Sequence, residues 1–428
     1  MDAFVTRTSR KRKPSPEMEL ATPANETQEE STDLKLAILS SLHPYIDQET
    51  LLDILLAHDG NVEATSTTLN TRQLITKKPP PSTIVTSQTS LRSFTTNTTT
   101  NSDSSPPSKK IKPLKGQTLH LYDPKDVADH TSCILILNFL PQKESNSLLL
   151  ELLEESKTFT QTTFKLFDNI VSSPHTSAFY VSTQTELQEQ KNEYVYNGAK
   201  ITDVRTLTPF LTQILPLVQQ TVNHQLQTQN QPTTTTTTTT TQKQHHSPSW
   251  IPNAALVNHY SGPSQSVGYH TDQLTYLGPF PTIASLSLGV TREFRLRRIL
   301  SKLPHLGPQI AIHLPHNSLL IMLPSTQENW KHSVVPTKTI TPHPISGNSR
   351  INITYRHYRE KFHPRYTPRC SGCNVPCVLR VATKSVENWG KYLWMCYAGN
   401  VPGKQGCDYF KWAQFDDDGN PVSSSSGT

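Results

Sequence analysis

Long hydrophobic runs are missing from this chain of 428 residues. No apolar stretch approaches the length of a membrane-spanning helix, and the N-terminus lacks the apolar core of a secretory signal. We therefore expect a soluble, intracellular protein with no membrane partner. Hydrophobic residues make up only 34% of the chain, whereas Pro, Ser and Thr are abundant. Because such a composition leaves many segments unable to bury a core, we expect long disordered stretches between two or three folded domains.

An excess of charge is missing as well, since the formal net charge is only +6. This mild basic bias is compatible with a polyanionic partner but does not require one. The segment Arg10-Lys-Arg-Lys13-Pro14 concentrates basic residues within positions 1–31, which we interpret as a disordered basic tail. Such a cluster is typical of a nuclear import signal, so we expect the protein in the nucleus. A solvated tail with no targeting role is the alternative.

Cysteine is rare outside one short region, because five of the six cysteines lie between positions 370 and 407. In a reducing compartment such a cluster is more often a zinc site than a disulfide framework. The two-residue spacer between Cys370 and Cys373 lets both thiolates bind one metal ion, and Cys396 and Cys407 complete a tetrahedral set. Cys377 is then left outside the site. The sequence therefore predicts a Zn(II) module near the C-terminus.

Two histidines and one aspartate form the most informative pattern in the chain. His270 and Asp272 are two residues apart, so in an extended segment their side chains point the same way and reach one metal ion. His332, in Trp330-Lys-His332, arrives from another strand. Two imidazoles and one carboxylate hold Fe(II) on a single octahedral face and leave open positions for a co-substrate and O₂. We therefore predict an oxygenase centre.

A second pattern follows in Arg350-Ile-Asn352-Ile-Thr354-Tyr-Arg356, where polar residues alternate at the period of a strand. The alternation directs four polar side chains to one face, where a core strand would carry aliphatic residues. Iron held by three side chains needs a reducing co-substrate, and a guanidinium group pairs with carboxylates in bidentate fashion. The segment therefore predicts a site for an anionic ligand beside the metal.

These motifs, together with Asn258-His-Tyr260 upstream, resemble the AlkB-type Fe(II)/2-oxoglutarate dioxygenases over about residues 117–360. The resemblance implies a double-stranded β-helix (jelly-roll) core with flanking helices, and the threonine-rich composition predicts a disordered insertion within it at about 228–248. It implies oxidation of an alkyl group on a nucleobase nitrogen, with release of formaldehyde, succinate and CO₂. The site residues carried over are the iron ligands His270, Asp272 and His332, and the 2-oxoglutarate ligands Asn258, Tyr260, Arg350, Asn352 and Arg356.

Two further residues are expected to contact the substrate base. Leu256, two positions before Asn258, matches a family position that lines the base pocket. Tyr269, beside the iron ligand His270, either stacks on a base or faces the core, and the sequence leaves both interpretations open. Where the family often has acidic residues after the iron-binding aspartate, this chain has Gln273-Leu274, so substrate preference does not transfer in detail.

The cysteine-rich segment 368–416 resembles a GRF zinc finger, which implies binding of single-stranded nucleic acid. Lys391 and Leu393 replace the arginine and phenylalanine of the family's signature segment. Trp389, Lys391 and Tyr392 are the predicted nucleic-acid contacts, because bases stack on aromatic faces next to cations. Trp394 and Trp412 are expected to lie partly in the small core of the module. Residues 417–428 are predicted to be a disordered tail.

The N-terminal third has its own organisation. Residues 32–71 show leucines at helical spacing and resemble a CUE-type ubiquitin-binding domain, a small all-α three-helix bundle. Residues 72–116 are predicted to be a disordered linker. Within it, Gln88, Leu91 and Phe94 resemble a peptide that binds the sliding clamp, although a chance match in a low-complexity segment is the alternative.

The sequence thus predicts a multidomain protein that repairs N-alkylated bases in DNA. Two alternatives stay open. One is an RNA demethylase with the same chemistry, since the catalytic pocket recognises the base rather than the sugar. The other is a non-catalytic adaptor that links ubiquitin to damaged DNA, which the intact iron and co-substrate residues argue against.

Overall fold

The computed structural model describes residues 32–74 except 44, 45, 47 and 59, then 118–229 except 167–168, 191–194, 197–198 and 202, then 249–299, 309–383, 387–400 and 406–422. The basic tail and the clamp-like peptide at Gln88, Leu91 and Phe94 lie outside these residues, as do most of the linker and of the insertion. Among the described residues, no helix is both long and apolar enough to span a bilayer.

The described helices are α1 Thr32–Leu42, α2 Gln48–Ala57, α3 Val62–Leu74, α4 Pro124–His130, α5 Gln142–Glu155, α6 Gln184–Gln190, α7 Pro209–Gln229 and α8 Thr326–Asn329. The described strands are β1 Thr118–Leu121, β2 Cys133–Ile136, β3 Thr163–Leu166, β4 Asn169–Ser172, β5 Thr176–Val181, β6 Val195–Tyr196, β7 Ala199–Lys200, β8 Val204–Thr206, β9 Ala254–Tyr260, β10 Val267–His270, β11 Ile283–Gly289, β12 Arg292–Arg298, β13 Gln309–Leu314, β14 Ser318–Met322, β15 Trp330–Val334, β16 Arg350–Arg356, β17 Val378–Val381, β18 Tyr392–Met395 and β19 Phe410–Trp412. Helix α3 includes the first three residues of the predicted linker, and helix α7 includes the first two residues of the predicted insertion.

Two sheets form the central part of the chain. The smaller sheet has the strand order β1-β13-β12-β15-β10, and the larger has the order β2-β14-β11-β16-β9-β5-β8. The chain passes from the larger sheet to the smaller one between β11 and β12, at Gly289. This residue has a φ of +90°, and a Cβ there would collide with the carbonyl oxygen of Ser349. Only glycine fits this turn without strain.

Strands β11, β14 and β16 are buried on both faces, which explains why β14 is a nearly continuous hydrophobic run. Their outer side chains, such as Leu286 and Ile353, pack with Leu148 of α5 and Val218 of α7 in one apolar cluster. Their inner face looks toward the smaller sheet, where a second apolar cluster lies. Polar side chains of β9, β11 and β16 interrupt that inner face, and they define the candidate active site.

Two smaller units flank the sheets. Helices α1–α3 enclose a core of leucines and Ile54, and the Asn61 side chain caps α3 by accepting a hydrogen bond of 2.9 Å from the Ala64 N–H. Strands β17–β19 form an antiparallel sheet. Residues 417–422, predicted to be disordered, are instead attached to the core, because the Arg359 guanidinium donates to the backbone oxygens of Asp418 and Gly419.

Candidate active site

Strands β10 and β15 bring the predicted iron ligands together. The two strands are antiparallel neighbours in which His270 pairs with His332, and Asp272 lies just after β10. The Nε2 atoms of the two imidazoles lie 3.9 and 3.7 Å from Oδ1 of Asp272, and the three ligand atoms lie within 4.8 Å of one another. One histidine and one carboxylate are buried, while a third of the His270 side chain is exposed. The arrangement suits Fe(II) and leaves one side open.

Hydrogen bonds orient these ligands. The Nδ1–H of His270 donates to the carbonyl oxygen of Gly268 at 2.8 Å. Because a carbonyl only accepts, this bond fixes the tautomer that leaves the Nε2 lone pair for a metal. Arg356 donates from Nε and Nη2 to Oδ2 of Asp272 at 2.9 and 2.8 Å. The other carboxylate oxygen is therefore directed at the two imidazoles.

The charge states also fit a metal site. Burial alone would raise the pKa of Asp272, but the nearby Arg356 and the two histidines hold it below its usual value. Burial, reinforced by His270, lowers the pKa of His332 to about 3. An ionised carboxylate beside a neutral imidazole is the protonation state that metal binding requires.

Arg350 provides the strongest sign of an anionic co-substrate. Its side chain is only 1% exposed. Nη2 donates to Oγ of Ser287 at 2.8 Å, whereas Nε and Nη1 have no hydrogen-bond partner in the described part of the chain. Burial lowers the pKa of Arg350 to about 10, so the group remains a cation at neutral pH. A buried cation with unsatisfied donors is costly unless an anion pairs with it, and a carboxylate of 2-oxoglutarate fits that need.

The other predicted co-substrate residues divide into two groups. Oδ1 of Asn258 is buried and has no hydrogen-bond partner among the described residues. The buried Tyr260 ring lies 5.3 Å from the Arg350 guanidinium, next to the candidate co-substrate site. Asn352 instead donates to Oγ of Ser285 at 2.7 Å and accepts from Thr354 at 3.1 Å. Asn352 therefore orients neighbouring side chains through hydrogen bonds, just as Arg356 orients the Asp272 carboxylate.

The sequence profile of the 2OG-Fe(II) oxygenase superfamily matches residues 132–356, which contain the iron and co-substrate sites. The chain belongs to this superfamily. The predicted double-stranded β-helix oxygenase core is thereby confirmed.

Similarity to individual proteins supports an AlkB-type oxygenase domain. Mouse alpha-ketoglutarate-dependent dioxygenase alkB homolog 3 is 37% identical over 111 residues, which is 24% of this chain and 36% of the relative. The human homolog 3 is also 37% identical over 111 residues, with the same coverage of both chains. DNA oxidative demethylase ALKBH2 of Arabidopsis thaliana is 34% identical over 122 residues, which is 24% of this chain and 37% of the relative. The chain matches little more than a third of the length of these relatives.

Sequence reasoning missed one buried cation of the oxygenase domain. Apolar and charged residues alternate in Arg292–Arg298, a pattern that predicts a strand whose charged residues face solvent. Arg292 instead faces inward at 2% exposure and donates to the carbonyl oxygens of Gln265 and Val335 at 2.6 and 2.7 Å. Its guanidinium lies 5.7 Å from the Tyr260 ring. The sequence does contain a signal for this burial, because Arg292 lies on the same strand face as the apolar Phe294 and Leu296.

The predicted base contacts lie on different faces. Leu256 is on the inner face of β9, partly buried and packed against the apolar cluster between the sheets, which is compatible with a pocket wall. Tyr269 points to the opposite face of β10 from His270. It is 8% exposed, its ring lies 4.0 Å from the Arg297 guanidinium, and its hydroxyl accepts from Gln309. These contacts favour the structural interpretation of Tyr269.

The four predicted zinc ligands also come together. The sulfur atoms of Cys370, Cys373, Cys396 and Cys407 lie within 4.8 Å of one another, and all four cysteines are free. Such a set suits tetrahedral Zn(II). Burial raises the pKa of Cys377 to about 12, so this residue stays a thiol outside the cluster.

The aromatic residues of the C-terminal module are not placed as the sequence suggested. Tyr392 is 8% exposed, and its hydroxyl donates to Oε1 of Glu328 at 2.8 Å, so its ring is not available to a base. Trp394 is buried, as expected, and Trp389 is half-buried. Trp412, expected to lie partly in the core, is 41% exposed and packs edge to face against Phe410. Lys391 Nζ lies 5.8 Å from the Trp412 ring.

Proposed function

We propose that the protein removes alkyl groups from nitrogen atoms of nucleobases in DNA by Fe(II)- and 2-oxoglutarate-dependent oxidation. The observation that carries the proposal is the buried Arg350 guanidinium with two unpaired nitrogens, next to three converging iron ligands. The choice of substrate rests on the relatives, since one of them is named a DNA oxidative demethylase. Formaldehyde, succinate and CO₂ are the expected products.

Each protein group has a distinct task in this reaction. His270, Asp272 and His332 hold iron, Arg350 pairs with a carboxylate of 2-oxoglutarate, and Arg356 keeps the Asp272 carboxylate ionised and aligned. Iron held there would supply the oxidising chemistry that hydroxylates the alkyl carbon, with O₂ as the oxidant and 2-oxoglutarate as the two-electron reductant. The surrounding buried side chains exclude water from the reacting groups. The exposed side of His270 is where a flipped or single-stranded base enters, because a base inside a stacked duplex is out of reach.

We expect His270→Ala to reduce formaldehyde and succinate production from methylated single-stranded DNA to background. The variant loses one of three ligands for iron. The exposed histidine of α7 provides a matched control, and His224→Ala should retain full turnover. The same assay on methylated RNA separates the two substrates. Equal turnover by His270→Ala and the parent protein would exclude the proposed iron site, whereas turnover of RNA alone would establish the RNA alternative.

The C-terminal module is proposed to bind Zn(II) through its four cysteines and single-stranded nucleic acid through its surface. Phe410 and Trp412 of the outer strand β19 form an exposed aromatic surface, and the exposed Lys391, which directly precedes β18, adds a cation beside Trp412. Trp412 also borders a cavity of about 660 Å³ that Tyr366 and Lys411 line. Aromatic faces beside cations are what single strands bind.

Trp412→Ala is expected to weaken the binding of a fluorescent single-stranded oligonucleotide more than Trp389→Ala does. Loss of one stacking platform costs about 1–3 kcal/mol, or roughly a factor of 5 to 150 in affinity. Fluorescence anisotropy measures both variants under one salt condition. A larger loss with Trp389→Ala would restore the contact predicted from sequence, and two unchanged affinities would remove this surface from substrate binding.

Three further roles remain predictions. Ubiquitin binding by α1–α3 has one supporting feature: Leu42, which stands where the CUE family has the ubiquitin-contacting methionine of its Met-Phe-Pro segment, is 56% exposed. His43 next to it is buried and hydrogen bonded to Ser66 at 3.0 Å, so it supports the bundle instead. Binding to the sliding clamp and nuclear localisation depend on segments outside the described residues.

A further inference from the structure

A second cluster of metal-ligating side chains lies on the outer face of the smaller sheet. It consists of His120 of β1, Glu293 of β12 and His313 of β13, three neighbouring strands. Glu293 pairs directly with His313, and His120 pairs with Ala311, two residues away on β13. Because alternate residues share a face, all three side chains project to the same side. One ligand atom from each lies within 4.8 Å of the others.

Neighbouring groups hold each of these ligands in place. Nδ1 of His120 and Nε2 of His313 are 2.9 Å apart. The Tyr122 ring stacks on His313, with centroids 4.1 Å apart and an interplanar angle of 11°. Arg295 donates to Oε2 of Glu293 from Nε and Nη2 at 2.9 and 2.8 Å. The other carboxylate oxygen, Oε1, is then the one that can bind a metal ion. Oriented imidazoles and a hydrogen-bonded carboxylate are typical of metal sites.

We propose that His120, Glu293 and His313 form a second metal site, for a divalent ion of the zinc, cobalt or nickel class. Two imidazole nitrogens and one carboxylate oxygen match the donors that these ions prefer. Burial lowers the pKa of His313, which keeps its imidazole neutral and ready to coordinate. All three residues are partly exposed, so an ion can enter from solvent.

This site is separate from the iron centre. Phe294, the neighbour of Glu293, points to the inner face and stacks on His332, with ring centroids 5.3 Å apart. The two candidate metal sites therefore lie on opposite faces of the same sheet. A bound ion would fasten the edge strand β1, which pairs with β13 alone within the described sheet, and would stabilise the oxygenase domain through its binding free energy.

The test uses the untagged full-length chain carrying His270→Ala and Asp272→Ala, so that the iron site cannot take up the probe. Ni(II) bound after dialysis is counted by plasma mass spectrometry, together with the zinc retained by the cysteines. We expect one additional equivalent of nickel and a higher melting temperature. Both effects should disappear with His120→Ala or His313→Ala and persist with His224→Ala. If nickel is not taken up, or if both histidine variants retain it, the second metal site does not exist, and His120 and His313 only share a hydrogen bond.

A different set of contacts joins the C-terminal module to the iron ligands through helix α8. Oε1 of Gln327 accepts the backbone N–H of Asp272 at 2.8 Å. The next residue, Glu328, accepts from the Phe280 N–H at 3.0 Å and from the Tyr392 hydroxyl at 2.8 Å. The chain then enters β15, which carries His332. One turn of helix thus contacts an iron ligand on one side and the module on the other.

The loop that follows Asp272 makes the same connection. Leu274 is buried in the apolar cluster that contains Cys370, Cys396 and Trp394. Oγ1 of Thr275 accepts the backbone N–H of Leu379 in β17 at 3.3 Å. The segment after an iron ligand is therefore packed against the core of the cysteine-rich module.

We infer that Glu328 and Tyr392 are positioning residues for the iron site and that the C-terminal module is part of its scaffold. The inference rests on the proposed iron centre. Removing the Tyr392 hydroxyl leaves Glu328 buried with a lost hydrogen bond. Helix α8 then loses its fixed position, and the Asp272 loop loosens with it.

Tyr392→Phe, which retains the ring, tests this inference through Fe(II) affinity measured by anaerobic titration in the presence of 2-oxoglutarate. We expect several-fold weaker Fe(II) binding with unchanged zinc content. Tyr397→Phe, in the same module but beside Arg380, is the matched control and should bind Fe(II) normally. An unchanged affinity in Tyr392→Phe, or an equal loss in both variants, overturns the inference. Failure of the parent protein to bind Fe(II) would instead overturn the proposed function.

Discussion

Replacing Arg350 with methionine is expected to weaken 2-oxoglutarate-dependent turnover strongly while stabilising the ligand-free protein. The guanidinium is buried, charged and only partly hydrogen bonded, so it destabilises the fold until an anion binds. Truncating one partner of a buried, hydrogen-bonded charge pair costs about 2–5 kcal/mol, so turnover at limiting 2-oxoglutarate should fall by a factor of roughly 30 or more. Methionine fills similar space without charge. The Michaelis constant for 2-oxoglutarate and urea unfolding without ligand measure the two effects.

Arg292→Met is the matched control, because this arginine is equally buried and lies near the same tyrosine ring. Its Nη1 and Nη2 groups already donate to backbone carbonyl oxygens, so its removal leaves those acceptors unpaired and should lower stability. The two variants are therefore expected to shift the free energy of unfolding in opposite directions. A loss of stability in Arg350→Met with normal 2-oxoglutarate binding would assign Arg350 a purely structural role.

Replacing Cys396 with serine is expected to release zinc and unfold the C-terminal module. A small unit of three short strands has little apolar core of its own, and in such units the free energy of metal binding largely supplies the free energy of folding. Zinc per chain should fall from about one to nearly zero, because one thiolate of a tetrahedral set is missing. Limited proteolysis should then cleave the segment around Leu379 and Trp394, which the folded module buries.

Cys377→Ala separates loss of a ligand from loss of a cysteine. Cys377 is buried in the same cluster but lies outside the four converging sulfurs, so this variant should retain zinc and resist proteolysis at low temperature. Retention of zinc by Cys396→Ser would show that the cysteines do not act as one site. An equal loss of zinc in both variants would point to general destabilisation of the module.

Much of the candidate site was predictable because its geometry is local. Residues two apart on a strand share a face, which places His270 near Asp272 and puts Arg350 beside Asn352 whatever the rest of the fold. The two-residue spacer between Cys370 and Cys373 is local in the same way. The convergence of His332 was predicted through the resemblance, because a separation of that length fixes no distance on its own.

The errors concern partners distant in sequence. Tyr392 and Trp412 have similar side chains on neighbouring strands, yet one is buried and the other exposed. Glu328, from the oxygenase domain, captures the Tyr392 hydroxyl, whereas the outer strand leaves Trp412 uncovered. A sequence pattern predicts which face of its own strand a residue occupies, but it does not predict which distant segment packs against that face.

The sequence by itself determined which groups are available to bind a metal or an anion. They are two imidazoles and one carboxylate, the alternating polar side chains of Arg350–Arg356, and a set of four thiols. Only the tertiary structure decided what each group does. It pairs Arg356 with Asp272, leaves Arg350 unsatisfied, turns Arg292 inward and joins the cysteine module to helix α8. Periodicity is a property of the local backbone, whereas burial and pairing depend on segments that meet only after the sheets have formed.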